Sequence, residues 1–158
     1  TDFRGQGPEV AIRYSETETG WAGASATRLV TVEMAPVLAA GAGKLAAPSD
    51  LLGQTLLHDE NRDHWSRWFE AAGVATGPLP RGSVLGDGAL AVQAALRGHG
   101  AALSARWLVE DDLQAGRLVM PFDTFVPCGA YWVVTPDRKT LAAPAAAFVA
   151  WITSMFAG

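Results

Sequence analysis

Short stretches in which polar and apolar residues alternate predict the strands of this chain. Residues 9–14 (EVAIRY) alternate and are rich in residue types that favour strands. Residues 27–38 predict a longer strand, which Pro36 is expected to break or to confine to a sheet edge, because proline donates no backbone hydrogen bond. Further short strands are predicted at residues 55–59, 82–85, 101–105, 117–120 and 130–135.

Helical periodicity is clearest in residues 62–72. Trp65, Trp68 and Phe69 fall on one face of that helix, which predicts that they anchor it on a sheet. Other helices are predicted at residues 50–52, 88–97, 107–115 and 143–156, with Ser49 and Asp87 as the N-caps of the first two. The last helix carries an apolar stripe that is expected to face the core: Phe148, Trp151, Ile152, Met155 and Phe156. The alternation of strands and helices predicts an α/β fold with a mostly parallel sheet.

Composition narrows the class of protein. Hydrophobic residues make up 49% and charged residues 18% of the 158, which is typical of a globular domain and excludes a disordered tail. The net charge is −4, and the scattered Lys and Arg residues form no basic patch for a nucleic-acid backbone. No apolar run reaches the length of a membrane span, so we expect no membrane contact. Cys128 is the single cysteine and makes no internal disulfide.

Ionisable side chains are densest at His58, Asp59, Glu60, Asp63 and His64. A metal site is disfavoured, because the two histidines are six residues apart, whereas a helical zinc pair is separated by about four. A polar turn whose acids favour a helix N-terminus is the stronger interpretation. No serine stands in a nucleophile-elbow motif, and the cysteine has no His–Asp context. We therefore expect no catalytic residue, no metal and no cofactor.

A second candidate is the turn Gly86-Asp87-Gly88, which precedes an alanine-rich helix. The free N–H groups at a helix N-terminus bind anions readily. From the residues alone, an ordinary capped turn without a ligand is the stronger interpretation.

Motifs along nearly the whole chain resemble those of one known family. The opening passage DFRGQGPEVAIRYS (residues 2–15) is followed by Trp21 and by Pro36-Val37. Further motifs follow in order: LLHDE with two tryptophans (56–73), LGDGALAVQAALRGHGAALSA (85–105), LVEDDLQAGRLVMPF (108–122), YWVVTP (131–136) and AFVAWI (147–152). The chain thus resembles the regulatory half of LysR-type transcriptional regulators, in the subgroup that includes glycine-cleavage activators and β-lactamase regulators.

The resemblance implies a fold similar to that of type 2 periplasmic binding proteins. Such a fold has two α/β lobes with mostly parallel sheets, two crossing segments and an effector cleft. The resemblance places residues 1–34 and 130–158 in regulatory lobe I, and residues 35–129 in regulatory lobe II. It also implies that the winged helix-turn-helix and the first part of the sensor domain are absent from this chain, which leaves lobe I incomplete.

The same resemblance implies where a small-molecule effector is bound. Carried over residue by residue, the effector contacts are Tyr14, Ser15, His58, Gly86, Asp87, Gly88 and Tyr131. Relatives commonly have a hydroxyl side chain where Gly88 stands, so only backbone donors are expected there. An anion or a polar metabolite is the expected effector. DNA contact through the absent N-terminal domain, a homo-oligomer (a dimer or tetramer of the full-length protein) and a cytoplasmic location are also implied.

Three functions are consistent with these patterns. The first is effector sensing in a LysR-type regulator, which the ordered motifs favour. The second is a solute-binding protein of a transport system, which has the same fold. The third is an enzyme fragment, which would need a convergent catalytic set that the sequence does not contain. Because one fold can host many functions, the fold alone does not decide among them.

Overall fold

The computed structural model describes residues 9–17, 21–79, 82–137 and 140–156. The chain divides into two compact units: unit 1 comprises Thr1–Val32 and Cys128–Gly158, and unit 2 comprises Glu33–Pro127. In chain order the elements are β1 (Ala11–Ser15), β2 (Ala24–Ala39), α1 (Asp63–Ala71), α2 (Gly88–Leu96), β3 (Ala102–Ala105), α3 (Glu110–Gln114), β4 (Leu118–Val119), β5 (Val126–Pro136) and α4 (Ala143–Met155). Two short 3₁₀ helices lie at Pro48–Gly53 and Arg106–Leu108.

In unit 1, β1 pairs with β5 in antiparallel orientation, and Tyr14 lies opposite Tyr131. The sheet order places β5 between β1 and β2. Helix α4 begins after Ala142, whose backbone N–H donates to the Glu9 carboxylate at 3.2 Å. A proline in its first turn suits the start of a helix, where no N–H partner is needed.

In unit 2, β2 pairs in antiparallel orientation with β3 and with β4. Pro36 lies inside β2, opposite Leu103, and is fully buried. The predicted break at Pro36 is therefore wrong, because the positions on either side of it, Ala35 and Val37, keep the pairing with β3.

The short β segments of unit 2 are less regular than predicted. The strands expected at residues 55–59 and 82–85 are isolated bridges, which join Leu56 to Ala101 and His58 to Val84. Both bridges are parallel, whereas the β1–β5, β2–β3 and β2–β4 ladders are antiparallel. The parallel arrangement expected from the strand–helix alternation thus occurs at these short segments, and the long strands β2 and β5 add antiparallel pairs.

Two helix predictions need correction. The helix predicted to begin after Ser49 is a 3₁₀ helix whose N-cap is Ala47, because the Asp50 carboxylate accepts hydrogen bonds from the backbone N–H groups of Ala46 and Ala47. The helix predicted at residues 107–115 is a 3₁₀ turn followed by the five-residue α3.

The core of unit 2 lies between its helices and the β2–β3 pair. Helix α2 packs against β3. A buried cluster fills this layer: Val37, Leu57, Ala91, Ala95, Ala102, Val109 and Leu118. On α1, Trp65, Trp68 and Phe69 are buried as predicted, and their rings contact one another. This packing holds residues 56–59, which lie a short turn before α1, in one place.

Helix α4 contradicts its predicted packing. None of its described side chains is buried within this chain, and the apolar stripe from Phe148 to Phe156 is largely exposed. Trp151 is 55% exposed and Met155 is 61% exposed.

Candidate functional site

Backbone hydrogen bonds in unit 2 bring His58 close to the turn that starts α2. The His58 N–H donates to the Ser83 carbonyl, and the Leu85 N–H donates to the His58 carbonyl, each at 2.9 Å. Gly82 makes this approach possible, because a Cβ at that position would lie 1.9 Å from the Leu56 carbonyl oxygen. Sequence reasoning missed the role of Gly82; the available signal is a glycine inside a predicted strand, which often marks close backbone approach.

The turn Gly86-Asp87-Gly88 has the predicted form of a capped helix start. Gly86 has a φ of 68°, which favours glycine, and Asp87 is the N-cap of α2. The Asp87 carboxylate accepts a hydrogen bond from the Ala89 N–H at 2.6 Å. A Cβ added to Gly88 would meet no atom within 4 Å, so a side chain fits there.

The His58 side chain is buried, with 3% of its surface exposed. Neither ring nitrogen has a hydrogen-bond partner among the described residues. Burial is the main cause that lowers the pKa of His58 below its ordinary 6.5, and the positive charge of Arg62 lowers it further. The imidazole is therefore neutral at physiological pH, with one N–H donor and one nitrogen acceptor.

A small cavity, partly open to the surface and with room for about one water molecule, lies beside His58. Its lining is mixed, with apolar and polar side chains: Leu57, His58, Asp59, Asn61, His64, Trp65, Ala91 and Leu103. Within it, His64 Nδ1 lies 3.1 Å from the Asp59 carboxylate, and the Asn61 N–H donates to that carboxylate at 2.9 Å. Burial acts to raise the pKa of Asp59, but these hydrogen bonds outweigh it and hold the pKa below its usual value.

The Asp59–His64 pair lies in the predicted polar turn before α1. Asp63 lies in the first turn of α1, where a negative charge is favourable. The described residues contain no group of three His, Cys, Asp or Glu side chains that could hold a metal ion.

In unit 1, the sheet brings together Tyr14, Ser15 and Tyr131. The ring centroids of Tyr14 and Tyr131 are 5.5 Å apart, and the angle between the ring planes is 58°. The Tyr14 hydroxyl donates to the Cys128 carbonyl. The Ser15 hydroxyl donates to the Thr17 carbonyl at 2.6 Å. The Tyr14 and Ser15 hydroxyls are thus engaged in local hydrogen bonds.

Gly129 is a further residue that sequence reasoning missed in unit 1. Its φ is 111°, and a Cβ there would lie 2.8 Å from the Tyr14 hydroxyl and from the Ser15 carbonyl oxygen. Only glycine permits the Tyr14 ring to lie across β5 at this point. The predicted site residues therefore form two sets: Tyr14, Ser15 and Tyr131 in unit 1, and His58 with residues 86–88 in unit 2.

Comparison with known proteins identifies relatives over most of the chain. The profile of the LysR substrate binding domain matches residues 5–157. The chain is 35% identical over 153 residues to "HTH-type transcriptional activator AmpR" of Rhodobacter capsulatus, covering 96% of this chain and 52% of the relative. It is 33% identical over 149 residues to "Glycine cleavage system transcriptional activator" of Escherichia coli, covering 91% of this chain and 48% of the relative. The chain thus spans about half the length of these curated relatives.

Solved structures give the same result. The effector domain of the transcriptional regulator AmpR of Pseudomonas aeruginosa has a TM-score of 0.83 and 30% identity, and the likeness covers 94% of this chain and 72% of that one. The AmpR effector binding domain of Citrobacter freundii also has a TM-score of 0.83, at 26% identity. That likeness covers 94% of this chain and 74% of the other. These likenesses confirm the α/β fold of the type 2 periplasmic-binding-protein kind.

The relatives are named as transcriptional activators rather than as enzymes or transport proteins, which agrees with the predicted regulatory class. Among the described residues, no helix is both long and apolar enough to cross a membrane. The profile match, the ordered motifs and the likeness in fold together show that this chain belongs to the LysR substrate-binding domain family.

Proposed function

We propose that this chain is the effector-sensing part of a LysR-type regulator of transcription. The observation that carries the proposal is the likeness to AmpR effector domains over 94% of the chain at a TM-score of 0.83. Effector binding would change the relative stability of two arrangements of the regulator, and thereby its action on DNA.

The division into lobes is part of this proposal. Residues 1–34 and 130–158 would form regulatory lobe I, and residues 35–129 would form regulatory lobe II. The separation of the chain into unit 1 and unit 2 supports this assignment. DNA would be contacted by residues outside this chain, in a homo-oligomer in the cytoplasm; the "HTH-type" name of the relatives supports a separate DNA-binding part.

The proposed effector contacts lie in both units. In unit 1 they are Tyr14, Ser15 and Tyr131, and their adjacency on β1 and β5 supports a shared role. In unit 2 they are His58, Gly86, Asp87 and Gly88. The backbone hydrogen bonds of His58 to the segment just before residue 86 support a shared role for these four residues. The Tyr14 and Ser15 hydroxyls each already donate to a local acceptor.

A transcription reporter under the regulator's own promoter tests this function in the full-length protein. The variants are Tyr131→Phe, which removes one hydroxyl, and Gly88→Pro, which removes one backbone donor at a position where proline is tolerated. We expect both variants to bind the promoter normally while the difference between induced and uninduced transcription decreases. Ser154→Ala on the exposed part of α4 serves as the control and should behave as the wild type.

Two results would contradict the proposal. If deletion of the gene changed no transcript, the regulatory function would be wrong. If Tyr131→Phe and Gly88→Pro responded with unchanged sensitivity to the inducing condition, these two positions would be excluded as effector contacts. We also expect this chain alone to retain no promoter DNA in a gel-shift assay, because its net charge is −4.

A further inference from the structure

Side chains of α1 hold the backbone of two segments that lie far apart in the sequence. The Trp65 indole N–H donates to the carbonyl of Leu57, the residue before His58, at 2.9 Å. The Trp68 indole N–H donates to the Thr124 carbonyl at 2.8 Å. Both tryptophans are buried, so α1 fixes the two segments relative to each other.

The segment after residue 120 depends on these side chains more than the segment before α1 does. Residues 121–125 have no regular secondary structure, and within the described part of the chain they make no backbone–backbone hydrogen bond. Because a backbone carbonyl that is removed from water needs another partner, side chains have to supply it. Besides Trp68, helix α1 supplies the Arg67 guanidinium, which donates to the Pro127 carbonyl.

Two consecutive carbonyls at the boundary of the units are held in this way. Pro127 is the last residue of unit 2, and Cys128 begins the second stretch of unit 1. The Pro127 carbonyl accepts a hydrogen bond from Arg67, and the Cys128 carbonyl accepts one from the Tyr14 hydroxyl. Gly129 follows with a φ of 111°, which favours glycine. The course of the backbone at this boundary therefore depends on one side chain within each unit.

Arg67 can be changed without opening the core, unlike Trp68. The Arg67 side chain is exposed, whereas Trp68 is fully buried. No carboxylate among the described residues pairs with Arg67, so the Pro127 carbonyl is the partner of its guanidinium there. A guanidinium is always charged and only donates hydrogen bonds, which suits it to hold a carbonyl.

We propose that Arg67 is a positioning residue of the regulatory response, which holds the Pro127 carbonyl on α1 and so makes the end of unit 2 follow changes at His58. The inference rests on the proposed function in that His58 is taken to be an effector contact. Close-packed interiors transmit displacements, and three buried aromatic side chains pack α1. Arg67 carries such a displacement to the last residue before the boundary.

Backbone amide resonances of this chain, labelled with ¹⁵N, test the connection without a ligand. A carbonyl and the N–H that follows it belong to one planar peptide group. The Cys128 amide therefore reports on the Pro127 carbonyl, which Arg67 holds. The Phe125 amide reports on the Thr124 carbonyl and serves as the internal control.

The perturbation is His58→Gln, and we expect it to shift both amides when Arg67 is present. With Arg67→Gln, the shift at Cys128 should decrease by about threefold or more, in keeping with the size of such couplings. The shift at Phe125 should persist, because Trp68 still donates to the carbonyl before it.

Two further variants control for charge and for donor capacity. Arg67→Lys should restore the shift at Cys128, because an ammonium group also donates to a carbonyl. Arg97→Gln removes the same charge from an exposed position at the end of α2 and should leave that shift unchanged. If His58→Gln fails to fold, Trp65→Phe is the second perturbation, since it releases the Leu57 carbonyl from α1.

The full-length regulator separates a positioning role from a merely structural one. Arg67→Gln should bind the promoter as the wild type does, while the ratio of induced to uninduced transcription decreases by about threefold or more. Arg67→Lys should restore the ratio. A merely structural role would instead lower promoter binding and the ratio together.

The proposal is overturned if His58→Gln shifts the Cys128 amide equally with and without Arg67, if Arg67→Lys restores nothing, or if Arg67→Gln leaves the transcriptional ratio unchanged. None of these results refutes the regulatory function, because the wild type is judged by transcription from its own promoter. Conversely, a protein that controls no transcript would refute that function, while the amide shifts would still decide whether Arg67 connects α1 to Pro127.

Discussion

Helices α1 and α4 have similar aromatic spacing but opposite environments. In α1, Trp65 and Trp68 are 1% and 0% exposed. In α4, Trp151 is 55% exposed, although it too belongs to an apolar stripe at helical spacing. Spacing alone therefore does not predict burial.

The two helices differ in the residues that lie on the face opposite the aromatic stripe. The remaining positions of α1 include Asp63, Ser66, Arg67 and Glu70, so only one face can be buried. In contrast, α4 carries no charged residue, and its first turns consist mostly of alanine. An apolar helix without a polar face has no preferred buried side, because every side is compatible with a core.

Polar contacts strengthen the contrast. The Trp65 indole N–H donates to the Leu57 carbonyl at 2.9 Å, and the Trp68 indole N–H donates to the Thr124 carbonyl at 2.8 Å. The two tryptophans thus connect α1 to segments before and after it in the chain. Buried indole N–H groups usually find a hydrogen-bond acceptor, as these two do.

The largest expected effect is that of Trp68→Ala. Removal of a fully buried aromatic side chain should lower the free energy of unfolding by about 3–5 kcal/mol, because it leaves a cavity. Trp151→Ala is the matched change on α4 and should cost less than about 1 kcal/mol. Urea unfolding of both variants measures this. Equal costs for the two variants would show that α4 is as well packed as α1.

This contrast also explains what the sequence could predict. The buried face of α1 and the Asp87 cap of α2 were predictable, because each depends on residues within one helical turn or on a local side chain. The bridges at Leu56 and His58 were predicted as strands, since the residue types favour strands while the actual pairing partners lie far along the chain.

The candidate site, too, depends on contacts between residues that lie far apart in the sequence. The residues of the two sets came from resemblance to a family, and their adjacency in space depends on the register of β1 with β5 and on the close approach at Gly82. No local pattern encodes the missing partners of the His58 ring, because burial and hydrogen bonding are properties of the folded chain.

Trp65→Phe sharpens the comparison by removing the indole N–H while an aromatic ring remains. Loss of the donor to the buried Leu57 carbonyl should cost about 1–3 kcal/mol of unfolding free energy. Trp151→Phe is the matched control, and it should be nearly neutral on the exposed α4. Urea midpoints for both variants test this, and a cost for Trp65→Phe below that of Trp151→Phe would refute the role of the hydrogen bond.

A lower pH should weaken the region around α1 but not α4. Helix α4 has no ionisable side chain, whereas α1 adjoins His58 and Asp59. The folded pKa of His58 lies below its unfolded value of 6.5, so the unfolded chain binds more protons as pH falls through that value. Stability should therefore decrease as pH falls below about 6.5. Asp59, whose folded pKa is below 3.8, adds stability that is lost only at lower pH.

Urea midpoints of the wild type and of His58→Phe between pH 7.5 and 5.5, an interval of about one unit on either side of the ordinary histidine pKa, check this expectation. The wild type should lose stability across the interval, and the variant should lose less. An unchanged dependence on pH in His58→Phe would mean that another group titrates.

The smallest effect on stability, within about 0.5 kcal/mol, is expected for Trp151→Glu, because the side chain is more than half exposed. Its effect on association should be larger. Phe148, Trp151, Met155 and Phe156 form an exposed apolar patch, and such patches promote contact between molecules. We expect this chain to self-associate in sedimentation velocity experiments and Trp151→Glu to reduce that association.

Leu90→Glu on α2 is the control for that last change, because Leu90 is equally exposed, at 55%, and the variant gains the same negative charge. If both variants reduced association equally, net charge rather than the α4 patch would be responsible. A wild-type chain that stayed monomeric at high concentration would contradict the prediction itself. Reduced association in Trp151→Glu alone would show that the exposed aromatics of α4, unlike those of α1, act between molecules rather than within one.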